Sequence, residues 1–186
     1  KIHMHKKVLT EIALIYDEIK MPKGFEIDNS KLKADILSSC NLNKSLSNNP
    51  YDYKILDYEV PFSRTWDMLN KYVCDHLKMR DNLFLVPHTS FGNIFYENEQ
   101  SFFRNLVNPM DLQNAPDFTM VYGVDIFKDS ANIVFQYDDN REKNNLFTMP
   151  LITGHFILFP STQKFFISKN TSKQINTVLT TTFLKK

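Results

Sequence analysis

The sequence predicts an α+β fold in which helices precede a β-sandwich or barrel of about eight strands and cover one of its sheets. Three observations predict it. From Leu83 onward, short segments dense in β-branched and aromatic residues recur, with turn-forming residues between most of them. Ahead of them, apolar residues fall at helical spacing on two segments. The composition, 42% hydrophobic with sixteen Phe in 186 residues, is rich enough to bury a sizeable core, and the chain is short enough for one main domain.

Taken in order, Lys6–Lys20 places Val8, Ile12, Ile15 and Ile19 on one helical face and reads as a first helix, although its β-branched residues also favour strand. Met21-Pro22-Lys23-Gly24 stops it. Asp28 or Asn29-Ser30 then caps a second helix with Leu32, Ile36 and Leu37 on its apolar side. The polar run Asn41 to Asn49, closed by Pro50, reads as a linker. It divides the chain into an N-terminal helical extension, 1–49, and a β-rich domain, 50–186. Asp52 to Val60 alternates as an extended segment. Ser63-Arg64-Thr65 caps a strong helix whose Leu69, Val73 and Leu77 form a core stripe, with His76 beside it near the helix end. Strands are then expected at 83–86, 92–96, 119–127, 132–137, 146–149, 156–159, 165–168 and 175–184. No internal repeat or low-complexity tract interrupts them.

Charge and cysteine usage narrow the function classes. Lys plus Arg is 22 against 21 acidic residues, a formal net charge of +1, which gives no basic face for nucleic acid. Four Gly are too few for a glycine-rich phosphate cradle. Cys40 and Cys74 have no metal-ligand spacing and read as reduced thiols. No run of about 18 apolar residues suits a membrane span, and no leader pattern indicates secretion. The expected setting is therefore cytoplasmic or virion, with other protein subunits as partners and neither nucleic acid nor membrane.

The stretch Pro150-Leu151-x-x-Gly154-x-Phe156-x-Leu158-Phe159-Pro160-Ser161 resembles the penultimate hairpin of prolyl-4-hydroxylase-like 2-oxoglutarate/Fe(II) oxygenases, and Asn132–Asp139 resembles a strand upstream of it. The similarity covers roughly residues 52–184 and is closest to the compact versions encoded by tailed bacteriophages. It implies a double-stranded β-helix, or jelly-roll. It also implies an iron held by a His-x-Asp pair before one strand and a second His after the Phe-Pro-Ser turn, with a basic residue on the last strand for 2-oxoglutarate.

This chain departs from that pattern at each position. Ala115-Pro116-Asp117 stands where His-x-Asp is expected, leaving Asp117 as a vestige, and an alternative register at Arg104-Asn105-Leu106 supplies no histidine either. The second His position falls near Phe165. The basic position falls near Gln174, beside Lys173. His88 lacks a carboxylate two residues on, and His155 precedes the ligand position by a strand length. His3 and His5 read as surface residues. Ser161 is not in a nucleophile elbow. Asp138-Asp139 with Glu142 reads as a solvated turn, and Glu97 and Glu99 share a strand face or an edge without forming a glycosidase pair.

The expectation is a degenerate oxygenase-like jelly-roll without catalytic, metal or cofactor-binding residues. Phe165 and Phe166 fill its mouth, and its role is structural or in assembly, as in a phage particle. One alternative is an active dioxygenase using Fe(II) and 2-oxoglutarate, with His88 or His155 joining Asp117. Another is a jelly-roll ligand- or glycan-binding module, suggested by Trp66, Tyr96 and Tyr122 as exposed aromatics.

Overall fold

A computed structural model describes residues 12–20, 28–44, 53–54, 64–107, 110–111, 113–140 and 143–186. The segment expected as a first helix is, over its described part, a strand. β1 (Ile15–Glu18) pairs antiparallel with β7 (His155–Pro160), Ile15 opposite Leu158 and Glu18 opposite His155. Ile15 and Ile19 satisfy both periodicities. Docked on a sheet edge, they share one strand face and pack into the core beneath the helices, which suits β-branched residues better than a lone helix.

α1 (Asn29–Lys44) is capped as expected, with Asp28 Oδ1 accepting the N–H groups of Ser30 and Lys31 at 3.0 and 3.1 Å. It runs into the stretch read as linker, and residues 45–52 lie outside the described set. β2 is confined to Tyr53–Lys54; the remainder of the expected extended segment is not described.

α2 (Arg64–Asp81) buries Trp66, Leu69, Val73 and Leu77 along one stripe. Asn82 then takes a left-handed φ of 50°, and Leu83 N–H donates back to Leu77 O at 3.3 Å, a six-residue closure that ends the helix. Trp66, read as an exposed aromatic, is 3% exposed, because one turn before Leu69 and Asn70 it faces the same sheet.

The two strands expected at 83–86 and 92–96 are one. β3 (Leu85–Phe95) passes Pro87 by a register shift between Pro87 and Thr89 against its neighbour β9 (Asn176–Lys185), a bulge that accommodates the missing N–H. The remaining strands, β4 (Phe118–Asp125), β5 (Asn132–Asn140), β6 (Lys143–Pro150) and β8 (Lys164–Ile167), fall close to their expected places. They assemble into a six-stranded antiparallel sheet, β1-β7-β4-β9-β3-β2, facing a three-stranded one, β6-β5-β8. This is the jelly-roll predicted.

Two apolar layers result. Leu32, Ile36, Leu69, Leu77, Leu179 and Phe183 lie between the helices and the larger sheet. Phe95, Val121, Phe135, Phe159, Phe165 and Val178 lie between the two sheets. Burying each such side chain stabilises the fold by about 1.5–3 kcal/mol. Gly92 lets α1 rest on β3: a Cβ there would lie 2.6 Å from Ile36 Cγ2.

Candidate functional site

The turn after β7 fixes what faces the barrel interior. Gln163 N–H donates to Pro160 O at 2.9 Å and Ser161 N–H to Asp117 O at 2.9 Å, while the Ser161 and Thr119 hydroxyls lie 2.8 Å apart in the buried interior. β8 leaves this turn with Phe165 pointing inward. Its ring sits 4.9 Å from Phe159, which in turn lies 4.9 Å from Phe135, both pairs edge to face. Phe165 is 1% exposed. Phe166 differs from expectation: β-alternation turns it to the outer face, where its ring meets Phe103 at 5.2 Å.

The segment 101–104 lies along the other edge of β8. Ser101 N–H donates to Ile167 O, Arg104 N–H to Phe165 O, and Phe165 N–H to Arg104 O, at 3.0, 3.0 and 2.9 Å. This bridge carries the Arg104 guanidinium over two rings, 5.4 Å from the centroid of Phe91 and 5.8 Å from that of Phe165. Burial lowers its pKa to about 10, so it remains a cation near neutrality. In the sequence Arg104 stands out only as a residue that is not histidine. Its cluster of aromatic neighbours, Phe102, Phe103 and the inward Phe165, was the available signal.

The other candidate residues are dispersed. Asp117 is exposed and accepts the Lys185 N–H on Oδ2 at 2.7 Å, so it anchors the last strand at the surface. Gln174 lies exposed in the turn before β9. The inward residue at that end is Asn176, which accepts the Phe127 N–H and donates to Ser130 Oγ. His88 is exposed beside Thr89 and Thr182. His155 Nδ1 lies 3.3 Å from Thr153 O, on the wall of an outer cleft of about 460 Å³ with Tyr16 and Phe147. His76, near the end of α2, pairs with Asp17 of β1 at 3.3 Å. Tyr122 is buried with its hydroxyl donating to Asn29 Oδ1; of the three aromatics read as exposed, only Tyr96 is. Glu97 lies in a turn, not on a strand, and Glu99 caps the Tyr96 N–H at 2.9 Å. The side chains of Asp138, Asp139 and Glu142 lie outside the described residues. Cys74 is a free thiol pushed up to about 11 by burial.

Among the described residues no three His, Cys, Asp or Glu side chains converge as metal ligands. Near the position expected for the second histidine stands the Phe165 ring, and beside it, in the alternative register of the first, the Arg104 guanidinium. Neither offers a lone pair to iron, and the cation would repel it, so the residues present do not fit an Fe(II) centre of the family pattern. Beside this plug, at the barrel mouth, a cleft of about 450 Å³ opens between the start of β3, Thr182 of β9 and the described residues Leu106, Asp111 and 114–116.

No family model and no curated protein matches the chain. Solved structures do. AviO1 from Streptomyces viridochromogenes Tue57 aligns at TM-score 0.64 with 10% identity, covering 93% of this chain and 90% of that one. The non-haem α-ketoglutarate-dependent carbocyclase SnoK from nogalamycin biosynthesis aligns at 0.63 with 7% identity, over 93% and 79%. A Pseudomonas putida prolyl-4-hydroxylase aligns at 0.58 with 10% identity, over 93% and 92%. The chain therefore has the jelly-roll fold of the 2-oxoglutarate-dependent oxygenases. At these identities the likeness is one of fold, and chemistry must be argued from the residues.

Proposed function

We propose that this protein is a non-catalytic module on the oxygenase jelly-roll, serving a structural or assembly role among other protein subunits. The observation that carries it is the Phe91–Arg104–Phe165 stack: Phe165 stands near the position expected for the second histidine and Arg104 in the alternative register of the first, and neither is an imidazole. The near-zero formal charge favours protein partners over nucleic acid, and the Lys-, Asn- and Ile-rich composition favours a tailed-phage particle as the setting. No described helix is long and apolar enough to cross a membrane.

An active dioxygenase with a different ligand set would need His88 or His155 beside Asp117, and each of the three is engaged elsewhere on the surface. The test is anaerobic calorimetry with Fe(II) and 2-oxoglutarate. No iron-dependent binding of 2-oxoglutarate is expected; micromolar, iron-dependent binding would overturn the reading.

A further inference from the structure

The cleft at the barrel mouth is open and polar on two sides. On one side the His88 imidazole, Thr89 and Thr182 form a small network: His88 Nδ1 lies 3.2 Å from Thr89 Oγ1 and 3.5 Å from Thr182 Oγ1. Across the cleft, the Asp111 carboxylate accepts the Asn114 side-chain amide at 3.1 and 3.0 Å on its two oxygens. Oδ1 also accepts the Asn114 backbone N–H at 3.4 Å, which leaves Oδ2 as the oxygen with accepting capacity to spare, and the hydroxyls can both donate and accept. Phe91, Leu106 and Pro116 supply the apolar part of the wall.

These groups select a ligand class. No described wall residue is Lys or Arg, and Asp111 adds a negative charge, so a dicarboxylate meets one repelling group and only the Arg104 guanidinium, screened behind the Phe91 ring, as a counter-ion. A strongly cationic ligand would meet the Arg104 guanidinium behind Phe91. An extended peptide has no free strand edge here, because Thr89 and Thr182 are already cross-strand partners. A neutral molecule dense in hydroxyls matches the alternating donors and acceptors, and its C–H faces suit the apolar wall. The volume lies in the small-molecule range of about 300–1,000 Å³.

We infer that the barrel mouth is a binding site for a neutral polyhydroxylated ligand of mono- or disaccharide size. This rests on the reading that Phe165 and Arg104 close the interior beneath it, so that the mouth binds without turning over.

The test is amide-resolved NMR on the metal-free protein, titrated separately with glucose, N-acetylglucosamine, ribose and maltose, and with 2-oxoglutarate and succinate as anionic probes. At least one sugar is expected to bind with shifts centred on His88, Thr89, Asn114 and Thr182. Asp111→Asn and Thr182→Val, which keep side-chain shape, should each weaken it about tenfold while the unliganded variants keep the dispersed amide spectrum of the folded protein. Shifts at the cleft from the dicarboxylates but from no sugar would overturn the inference, as would no sugar binding at all, or sugar binding indifferent to both variants. Iron-dependent 2-oxoglutarate binding would sink the non-catalytic reading while leaving this metal-free result standing, so the two failures are distinguishable.

Discussion

The guanidinium carbon of Arg104 sits 5.8 Å from the centroid of the Phe165 ring, and the two residues also exchange both backbone hydrogen bonds. One short segment thereby supplies β8 with an edge partner and the barrel with a charged, aromatic-lined stopper. A stack of this kind is expected to show coupling beyond its separate parts. Phe165→Ala should cost about 3–5 kcal/mol through the cavity it leaves. A double-mutant cycle with Arg104→Ala should return a coupling of about 1–2 kcal/mol, read from urea unfolding at constant m. Additive single-mutant effects would mean that the guanidinium and the ring merely lie near each other.

How much of this was legible in the sequence differed by element. β4 to β9 declared themselves because Asn, Asp, Ser, Gly and Pro punctuate most strand ends, but the Phe165-Phe166 pair does not by itself say which ring turns inward. β1 was not legible: Ile15 and Ile19 fit helix and strand alike, and the deciding partner, β7, lies about 140 residues away in sequence. Pro87 read as a break because a bulge cannot be seen without the opposing strand. Tyr122 and Trp66 were misplaced because aromatic content does not say which face a ring takes. Arg104 lies on irregular chain, positioned by its bridge to β8 and by no periodicity of its own.

The Asp17 carboxyl is held below its ordinary value, first by the Glu18 N–H on Oδ1 at 2.8 Å, against an opposing effect of burial that comes second, with His76 at 3.3 Å and then Arg80 at 3.7 Å adding to the lowering. A folded-state value below the unfolded one stabilises fully above the unfolded carboxyl range, and the gain is lost as pH falls through the folded value. The side chain is 40% exposed, so solvent screening limits the pairing to under about 1 kcal/mol. Asp17→Asn should therefore lower stability slightly at neutral pH and remove part of the acid-side slope. Chemical denaturation at pH 7 and at successively lower pH checks this; parallel curves for the two proteins would contradict it.

Cys74 carries a thiol raised to about 11 by burial and by the nearby Asp75. Since the thiolate is the nucleophile, alkylation at neutral pH should be slower than for a free cysteine by about 100-fold. Measured on a Cys40→Ser background, the rate should rise through pH 8–10 without a plateau, as an elevated thiol pKa requires. A plateau near the ordinary thiol value would show that the helix face carrying Cys74 opens to solvent more than its packing implies.

Gly92 on β3 offers a sharper probe of how α1 is seated. An added Cβ would meet Ile36 Cγ2 at 2.6 Å and Cγ1 at 2.7 Å, both side-chain atoms of the helix resting on the strand. Ile36 is 1% exposed and lies in the same core layer as Leu69 and Leu179, so it has little room to retreat. Gly92→Ala is expected to cost about 1–3 kcal/mol by overpacking. Ile36→Ala alone should cost about 2–5 kcal/mol by leaving a cavity. The added methyl occupies part of that cavity, so the double variant should be less destabilised than the sum of the two singles. Urea midpoints of the four proteins decide it: a rescued double variant locates α1 against β3 through this one contact, and strict additivity would place the helix elsewhere.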